Sequence, residues 1–395
     1  MRDEKRVAII AIASRIAVVS SSILINLTPL KPYDTSGKFL GAWDAVYYQF
    51  IADSIHSEPY PFEQFHAFFP GLPFLTSCFS RLSGLTSIHI GLLISNIAFV
   101  GAAVILRRLT ERVLHDQSVA LGSAILFCLS PSAIFLSSLY TESLFSFLAF
   151  AGMFFHVEKR SWLASVAWML AGFIRSNSIV FVGFFGYDWL YSIYVKQEFN
   201  VWKGIQTFLQ CCLTASSFIA FQYYGYLSFC SDVSNFRPWC DSNPPVLYTF
   251  VQAEYWNNGF LKYWTFGQIP NFILAAPMLL TSSFGILSYF RYDSYRFLTL
   301  GLMPSKRIEL ESGFHSSSAL SHAFLCFFLT IYCATCMHIQ VITRFFTSLP
   351  FVYWYLAYCI IHPSKNENCG KTVLSWFLGY GAIGVVLFSL FYPPA

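Results

Sequence analysis

The sequence is short of charge, and this shortage excludes most classes of protein. Only 11% of its 395 residues are Asp, Glu, Lys or Arg, against roughly 25% in a typical soluble protein. So few charges cannot cover a water-soluble particle of this size, and the mean hydropathy is positive, at +0.54. A net charge of +4 without a basic stripe also excludes a nucleic-acid binder. Most of the surface must therefore face a lipid bilayer.

The common signatures of soluble enzymes are absent as well. There is no P-loop, GxGxxG or GxSxG motif, and the nine histidines lack the spacing of a metal site. Cys333 and Cys336 form a CxxC pair, but inside an apolar run packing explains it better than zinc or redox chemistry. The apolar runs are too long for the strands of a β-barrel. We therefore predict an all-α polytopic membrane protein without a metal or other cofactor.

Eleven apolar segments are candidates for membrane-spanning helices. We predict them, within a few residues, at 7–27, 88–106, 118–137, 138–157, 161–174, 177–195, 206–229, 271–290, 319–337, 345–362 and 372–392. The short basic connections between them are expected in the cytoplasm, because positive charge is retained there. The N-terminus is then cytoplasmic, and the first segment, interrupted only by Arg15, is a signal anchor rather than a cleaved signal peptide.

The same assignment places two long loops on the non-cytoplasmic side. In chain order, the single membrane domain 1–395 comprises the first loop at 28–87, a helical module at 88–229, the second loop at 230–270 and C-terminal helices at 271–395. Within the first loop, the apolar stretch Phe68 to Phe79 must begin and end on one side. We predict a re-entrant or surface helix there, because Pro70 and Pro73 break a regular span.

Asp44 follows Trp43 in the first loop, directly before a predicted amphipathic helix. One role for this acid is to cap the helix N-terminus. The other is to act as a general base on a substrate hydroxyl at the membrane surface, where lipid head groups lie. Asp53 and Glu58 are competing carboxylates, but nothing in their neighbours favours them.

Three more charges lie at predicted helix ends on the side of the long loops. Glu142 begins a helix, where a carboxylate either complements the helix N-terminus or contacts a substrate hydroxyl. Arg175 and Arg344 each lie outside the basic cytoplasmic connections. Each alone is explained by snorkelling. Two arginines on one face favour an anion site, most simply for phosphate.

The second loop interleaves aromatic residues with amides and charges. Trp256, Asn258 and Lys262 are suited to stack on sugar faces and bind hydroxyl groups, although an interfacial aromatic belt looks similar. Cys230 and Cys240 are the cysteine pair of this loop. Whether they form a disulfide is left open by the sequence.

Eight motifs, in order along nearly the whole chain, resemble the GPI mannosyltransferase II family of the PIG-V type. They are Trp43-Asp44, Glu63-Gln64 with 67–71, 130–135, 140–145, Arg175-Ser176-Asn177, 255–263, 268–277, and 338–345 with Gln340 and Arg344. Each motif is weak alone. Their order makes the resemblance specific.

The resemblance implies a GT-C glycosyltransferase fold with about 11 transmembrane helices plus luminal-loop helices, in the endoplasmic reticulum membrane. It implies transfer of the second, α-1,6-linked mannose from dolichyl-phosphate mannose to the glycosylphosphatidylinositol (GPI) precursor. Both substrates are lipid-linked, and no nucleic acid takes part. An acidic residue of the first luminal loop lies at the active site in this superfamily, and Asp44 matches it. Trp43, Glu63, Asn177 and Gln340 become candidate substrate-binding residues.

Two functions of other classes stay open on the sequence alone. A transporter or lipid scramblase would carry charges at mid-membrane depth and paired broken helices, whereas here the unusual charges gather on one face. A non-catalytic subunit of a glycosyltransferase complex would differ only in whether Asp44 is used. The need for a small membrane partner subunit is also left open.

Overall fold

The computed structural model describes residues 2–28, 40–231, 237–305, 310–362 and 368–392, and these ranges are helical without a strand. Residues 29–39 and 232–236 of the two predicted loops lie outside them. The α-helices are α1 Arg2–Asn26, α2 Asp44–Asp53, α3 Gly71–Ser83, α4 Ser87–Leu114, α5 Gln117–Cys128, α6 Glu142–Val157, α7 Ser161–Gly172, α8 Val182–Tyr194, α9 Val201–Cys230, α10 Leu247–Glu254, α11 Ile269–Tyr292, α12 Ser294–Leu298, α13 Leu320–Cys336, α14 Ile342–Phe345, α15 Pro350–Ile361 and α16 Asn368–Ser389.

The chain is a multi-pass membrane protein. Six helical segments of the described residues are long and apolar enough to cross a bilayer: Arg2–Asn26, Ser87–Leu114, Val201–Cys230, Phe266–Tyr292, Ser317–Cys336 and Gly370–Ser389. Four apolar helices are shorter, namely α5, α6, α7 and α15. Each of the eleven predicted segments contains one α-helix. The count of eleven spans stays a prediction.

The first loop folds into short helices beside the bundle. A 3₁₀ turn at Glu63–Ala67 leads into α3, which packs against α2 and α4. With 13 residues, α3 is about 20 Å long at 1.5 Å per residue, less than the roughly 30 Å of a bilayer core. It ends at Gly84, whose φ of 71° suits a residue without a side chain. The re-entrant or surface position of this helix stays a prediction.

The predicted helices at 118–137 and 138–157 include residues 129–141, and for these residues the prediction is wrong because they form turns rather than helix. α5 ends at Cys128, and the chain continues through Pro131 in buried turns until α6 begins at Glu142. Proline opposes a continuing helix because it lacks an N–H and its ring clashes with the preceding turn. Such backbone is tolerated inside a membrane protein only where other groups satisfy it.

Arg15 of α1 satisfies part of this irregular segment. Its Nη1 donates to the carbonyl oxygen of Ala133 at 2.8 Å and to the hydroxyl of Ser137 at 2.9 Å. The guanidinium also lies 3.8 Å from the ring centroid of Phe99, a cation–π contact. The one charge that interrupts the first apolar segment therefore holds the turns that lead to Glu142.

Glu63 joins the first loop to the second. Its carboxylate accepts two hydrogen bonds from Arg237, at 2.8 and 2.7 Å, one from the Trp239 indole at 2.7 Å and one from the Tyr255 hydroxyl at 3.2 Å. Burial raises the pKa of Glu63, but the bonds from Arg237 and Trp239 outweigh that effect and hold this pKa below its ordinary value. Glu63 is therefore a charged anchor between the loops.

A disulfide fixes the segment that carries two of those donors. Cys230 ends α9, Cys240 lies in the 3₁₀ turn Pro238–Asp241, and the two are bonded. Trp239, next to Cys240, is buried and donates to Glu63. The pairing that the sequence left open is thus present, and it holds the second loop close to the Glu63 anchor.

We expect replacement of Arg15 by Leu to destabilise the protein. The carbonyl of Ala133 would lose a charged donor inside the bundle, a loss of about 1–3 kcal/mol for a buried acceptor. Thermal unfolding of the purified protein in detergent measures this, with Arg15→Lys as the charge-preserving control that lacks the guanidinium fork. An unchanged unfolding temperature for Arg15→Leu would contradict the assigned role.

We expect Glu63→Gln to lower the free energy of unfolding by about 2 kcal/mol at neutral pH, because hydrogen bonds to an ionised group are lost. Since the folded-state pKa of Glu63 is lowered, its stabilisation is present above the ordinary pKa and disappears as the pH falls through the folded-state value. The gap between wild type and variant should therefore shrink in acid. Thermal unfolding from pH 7 to pH 4 tests this, with the exposed Glu58→Gln as control. A gap independent of pH would contradict the role of the charge.

Candidate active site

Asp44 begins α2, but its carboxylate does not cap the helix. Trp43, the preceding residue, has a φ of 59° and turns the chain into α2, with no side-chain capping hydrogen bond. The Asp44 N–H donates to the Tyr140 hydroxyl at 3.1 Å, and that hydroxyl donates to the Ala42 carbonyl at 3.1 Å. Oδ2 of Asp44 accepts from Nη2 of Arg344 at 2.9 Å. The capping role is therefore replaced by an ion pair.

Four residues distant in sequence form one row of alternating charge. Nε of Arg344 donates to Oε1 of Glu142 at 2.8 Å, while its Nη2 reaches Asp44. Nη1 of Arg175 lies 2.9 Å from the same Glu142 oxygen. We call Arg175, Glu142, Arg344 and Asp44 the charge row. Its formal charges sum to zero, and each acid has at least one arginine partner.

The charge row is buried at one end and open at the other. The Glu142 side chain is 0% exposed and the two arginine side chains are less than one-fifth exposed, but that of Asp44 is 37% exposed. A fully buried carboxylate is tolerated when it is paired and hydrogen-bonded. Glu142 thus holds the arginines from behind, and Asp44 is the acid that a ligand can reach.

Aromatic rings fix the planes of both guanidinium groups. The Arg344 guanidinium lies 4.6 Å from the ring centroid of Phe135 and 4.9 Å from that of Tyr140. The Arg175 guanidinium lies 5.1 Å from the ring centroid of Phe345. Planar guanidinium groups bind favourably over aromatic faces. Because Phe135 and Tyr140 belong to the irregular segment 129–141, that segment shapes the site directly.

A cavity of about 170 Å³ adjoins the charge row. The predicted residues that line it are Asp44, Arg175, Asn177, Trp256, Asn258 and Arg344, and further lining residues include Tyr48, Tyr248, Gln252 and His338. Oδ1 of Asn177 is buried and has no hydrogen-bond partner within the described part of the chain. It is an acceptor suited to a hydroxyl donor in the cavity.

Five predicted site residues lie outside the cavity lining. Trp43 is half exposed beside Asp44, Glu63 is the loop anchor and Glu142 is behind the arginines. Lys262 is exposed on the second loop, and Gln340 accepts a hydrogen bond from the Tyr263 hydroxyl at 3.1 Å. A direct contact of these side chains with substrate stays a prediction.

The second loop is docked onto the segment that leads to Arg344. Oδ1 of Asn258 accepts from the His338 backbone N–H at 3.2 Å, and its Nδ2 donates to Gln252 at 2.6 Å. The His338 ring stacks on Tyr263, with 4.4 Å between ring centroids. These contacts place Trp256 over the same cavity as Arg344.

Two important residues were missed by sequence reasoning. Tyr140 fixes the Asp44 backbone, and Arg237 neutralises Glu63. For Arg237 a signal was available, since a buried carboxylate needs a cation and few cations occur in the second loop. Tyr140 stands in the motif 140–145, but its contact with Asp44 could not be predicted, because that contact depends on the irregular turns before α6.

No group of three or more His, Cys, Asp or Glu side chains is arranged to hold a metal ion within the residues that the structure covers. Cys333 and Cys336, the CxxC pair, are free thiols at the end of α13. Cys333 is buried in the bundle core.

Solved structures with a similar fold are those of an oligosaccharyltransferase from Archaeoglobus fulgidus. The complex with zinc and sulfate matches with a TM-score of 0.53 at 14% identity, over 98% of this chain and 53% of that chain. The form tethered to an acceptor peptide matches with a TM-score of 0.52 at 15% identity, over 98% and 55%. This chain thus spans about half the length of that enzyme. The likeness concerns the fold, which is the GT-C glycosyltransferase fold.

Sequence relatives point to one family. The chain is 33% identical to the human GPI alpha-1,6-mannosyltransferase 2 over 378 residues, which cover 85% of this chain and 76% of the human protein. It is 30% identical to a GPI mannosyltransferase 2 of Cryptococcus neoformans over 421 aligned positions, covering 96% of each protein. The family model described as Mannosyltransferase (PIG-V) matches residues 13–395. The chain therefore belongs to the PIG-V mannosyltransferase family, a family of glycosyltransferases.

Proposed function

We propose that this enzyme transfers the second, α-1,6-linked mannose from dolichyl-phosphate mannose to the GPI anchor precursor in the endoplasmic reticulum membrane, with Asp44 as general base. The family membership and the names of the relatives support the reaction. The observation that carries the site assignment is the charge row. It presents one reachable carboxylate beside two arginines at a cavity wall.

The chemical step is an inverting displacement. The 6-hydroxyl of the acceptor mannose gives its proton to Asp44, and its oxygen forms a bond to the anomeric carbon of the donor mannose. The bond from that carbon to the phosphate oxygen breaks, and its electron pair leaves with dolichyl phosphate. Attack opposite the β-linked phosphate gives the α product. A carboxylate within hydrogen-bonding reach of the hydroxyl is the group this step needs.

The arginines are suited to receive the leaving phosphate. A guanidinium carries five N–H donors in a plane, and Arg344 commits Nε and Nη2 to Glu142 and Asp44. Donors therefore remain for a phosphate beside Asp44. Preorganised cations in a site shielded from water stabilise the charge that develops on the leaving group. In this assignment Arg344 and Arg175 provide that stabilisation without a metal ion.

The arriving phosphate also affects the base. The charge row is neutral before the donor binds, since two arginines balance two acids. A donor phosphate that draws on Arg344 weakens the Arg344–Asp44 pair and so favours proton uptake by Asp44. Glu142 retains both arginines during this exchange because it is fully buried and accepts from each. Glu142 is thus a positioning residue.

The cavity fits the reacting end of the substrates. Its 170 Å³ is below the roughly 300–1,000 Å³ of sites that enclose a drug-sized ligand, so the lipid chains extend elsewhere. Trp256 offers a ring face for a sugar, and Oδ1 of Asn177 offers an acceptor for a hydroxyl. Both residues line the same cavity as Asp44.

We place the charge row on the luminal side and the N-terminus in the cytoplasm. The basic connections predict this orientation through the positive-inside tendency. The disulfide Cys230–Cys240 supports it, because it closes the loop that docks beside the site and disulfides persist in oxidising compartments.

We expect Asp44→Asn to lower the turnover of mannosyl transfer by about 10²–10⁴-fold, the usual range for a lost general base. Transfer from dolichyl-phosphate mannose to the one-mannose precursor in microsomes measures this, with the product identified by mass spectrometry. The matched control is Asp53→Asn, which removes an exposed acid from the same helix.

Full activity of Asp44→Asn at normal expression would refute the general base. A cell lacking the gene separates the enzyme from a non-catalytic subunit. In such a cell we expect precursor without the second mannose to accumulate, and wild type but not Asp44→Asn to remove it.

We expect Arg344→Lys to lower turnover by about 10²-fold, as for loss of a preorganised donor. A lysine is a single point charge and cannot bridge Asp44 and Glu142 with two nitrogens. Arg175→Lys should have a smaller effect, because Arg175 contacts Glu142 but makes no ion pair with Asp44 in the described structure. Steady-state kinetics of both variants test this order, and equal losses would contradict it.

A further inference from the structure

A second and larger cavity, of about 980 Å³, lies at the opposite end of the bundle. α6 runs from one end of the bundle to the other. It begins with Glu142 in the charge row and reaches His156 in the wall of this cavity. Its 16 residues span about 24 Å at 1.5 Å per residue. The wall is formed where the ends of α6, α8, α9 and α13 meet.

Three lysines line this cavity, and none of them lies within ion-pair distance of a carboxylate in the described ranges. Lys159, Lys196 and Lys203 make no ion pair within 4 Å among the residues that the structure describes. Lys159 and Lys196 are exposed and Lys203 is half-buried. The lysines come from the turn after α6, the turn after α8 and the first turn of α9. The fold thus brings three separate cations to one concave surface.

Two acids in the cavity wall offset part of this positive charge, and the charges of Lys159 and Lys203 act on one of them, Asp188, from beyond ion-pair distance. Asp188 lies 3.2 Å from the His156 ring nitrogen. Asp293 accepts from the Arg296 backbone N–H at 2.9 Å and also lies 3.9 Å from its guanidinium. The positive potential of the lysines is therefore only partly offset, and an anionic ligand would complete the balance.

The same wall contains a buried polar group without a protein partner. His322 is 2% exposed, and its Nδ1 makes no hydrogen bond in the described ranges. Buried polar atoms are normally hydrogen-bonded. An unpaired ring nitrogen on a residue of the cavity wall is a second observation that favours a polar ligand.

The wall of the cavity also carries exposed apolar side chains. Tyr194 is 58%, Val195 39% and Met303 56% exposed, and all three line the cavity. Tyrosine at the end of membrane helices is typical of the bilayer interface. Cations and exposed apolar side chains in the wall of one cavity together match a ligand with an anionic head and a hydrocarbon tail.

We propose that this cavity binds the phosphate-bearing head group of an anionic phospholipid, with Lys159, Lys196 and Lys203 as its cationic ligands. Basic pockets between membrane helices bind acidic lipid head groups through this chemistry. The site is separate from the charge row, so it neither requires nor alters the assignment of the transfer reaction.

Thermal unfolding of the full chain in a neutral detergent tests the site, because a ligand that binds the folded state raises the unfolding temperature. The probes are dioctanoyl phosphatidic acid, dioctanoyl phosphatidylcholine and glycerol 3-phosphate. The variant is Lys159→Gln with Lys203→Gln. Its charge-matched control is Lys5→Gln with Lys371→Gln, two exposed lysines outside the cavity.

We expect the dissociation constant for dioctanoyl phosphatidic acid to rise about 25-fold in the cavity variant, about fivefold for each lysine, and to stay constant in the control. Stabilisation by phosphatidic acid but not by glycerol 3-phosphate identifies a membrane lipid. Equal stabilisation by both would retain the phosphate site but assign it to a soluble ligand, overturning the lipid. Equal stabilisation by phosphatidylcholine, equal losses in both variants, or no binding would overturn the proposal.

Discussion

The site depends on one shared oxygen, Oε1 of Glu142. This atom accepts from Arg344 and lies 2.9 Å from Arg175, in a side chain with no solvent exposure. Burying a carboxylate costs several kcal/mol unless it is paired and hydrogen-bonded. The fold therefore has to deliver two cations to this point. Once they are there, Arg344 has a defined position from which it reaches Asp44.

That requirement extends into the bundle through the segment before α6. Glu142 can lie behind the two arginines only because α5 stops at Cys128 and the chain covers the remaining distance in buried turns. Those turns carry Phe135 and Tyr140, which contact Arg344 and Asp44. Two of their polar groups, the Ala133 carbonyl and the Ser137 hydroxyl, accept hydrogen bonds from Arg15 of α1. Arg15 in the first membrane helix and Glu142 at the site are thus linked through the contacts of the segment 129–141.

Much of this arrangement could be predicted from the sequence, for identifiable reasons. Apolar runs locate membrane helices because hydrocarbon demands them, and the eleven predicted segments each contain a helix. Asp44, Glu142, Arg175 and Arg344 were recognisable because charges outside the basic connections need an explanation. Pro131 is a visible helix breaker, but the extent of the irregular stretch 129–141 could not be predicted, since its apolar residues look like helix. Part of its backbone is hydrogen-bonded by the side chain of Arg15, more than a hundred residues earlier in the sequence.

The pairing of Glu63 with Arg237 could not be predicted for the same reason. Whether Glu63 contacts substrate or Arg237 depends on how two loops dock, and these residues are separated by 174 positions. The local sequence does not indicate which residues make contact across such a separation. The disulfide illustrates the intermediate case, because a separation of 10 residues made the Cys230–Cys240 pair visible but did not decide between bonded and free thiols.

The two ends of the bundle treat charge in opposite ways, and this difference bears on how they are used. In the charge row every acid and every arginine has a partner, and in the proposed reaction the donor phosphate binds Arg344, the arginine that also pairs with Asp44. Around the larger cavity three lysines have no acid within ion-pair distance in the described structure, and Asp188 offsets two of them only from farther away, so a ligand would add to a charge balance that is incomplete. Because one arginine would serve both the phosphate and the proposed base, donor binding and proton transfer would be coupled there, which suits a reaction centre. Simple addition of charge provides affinity alone, which suits a site that holds a lipid in place.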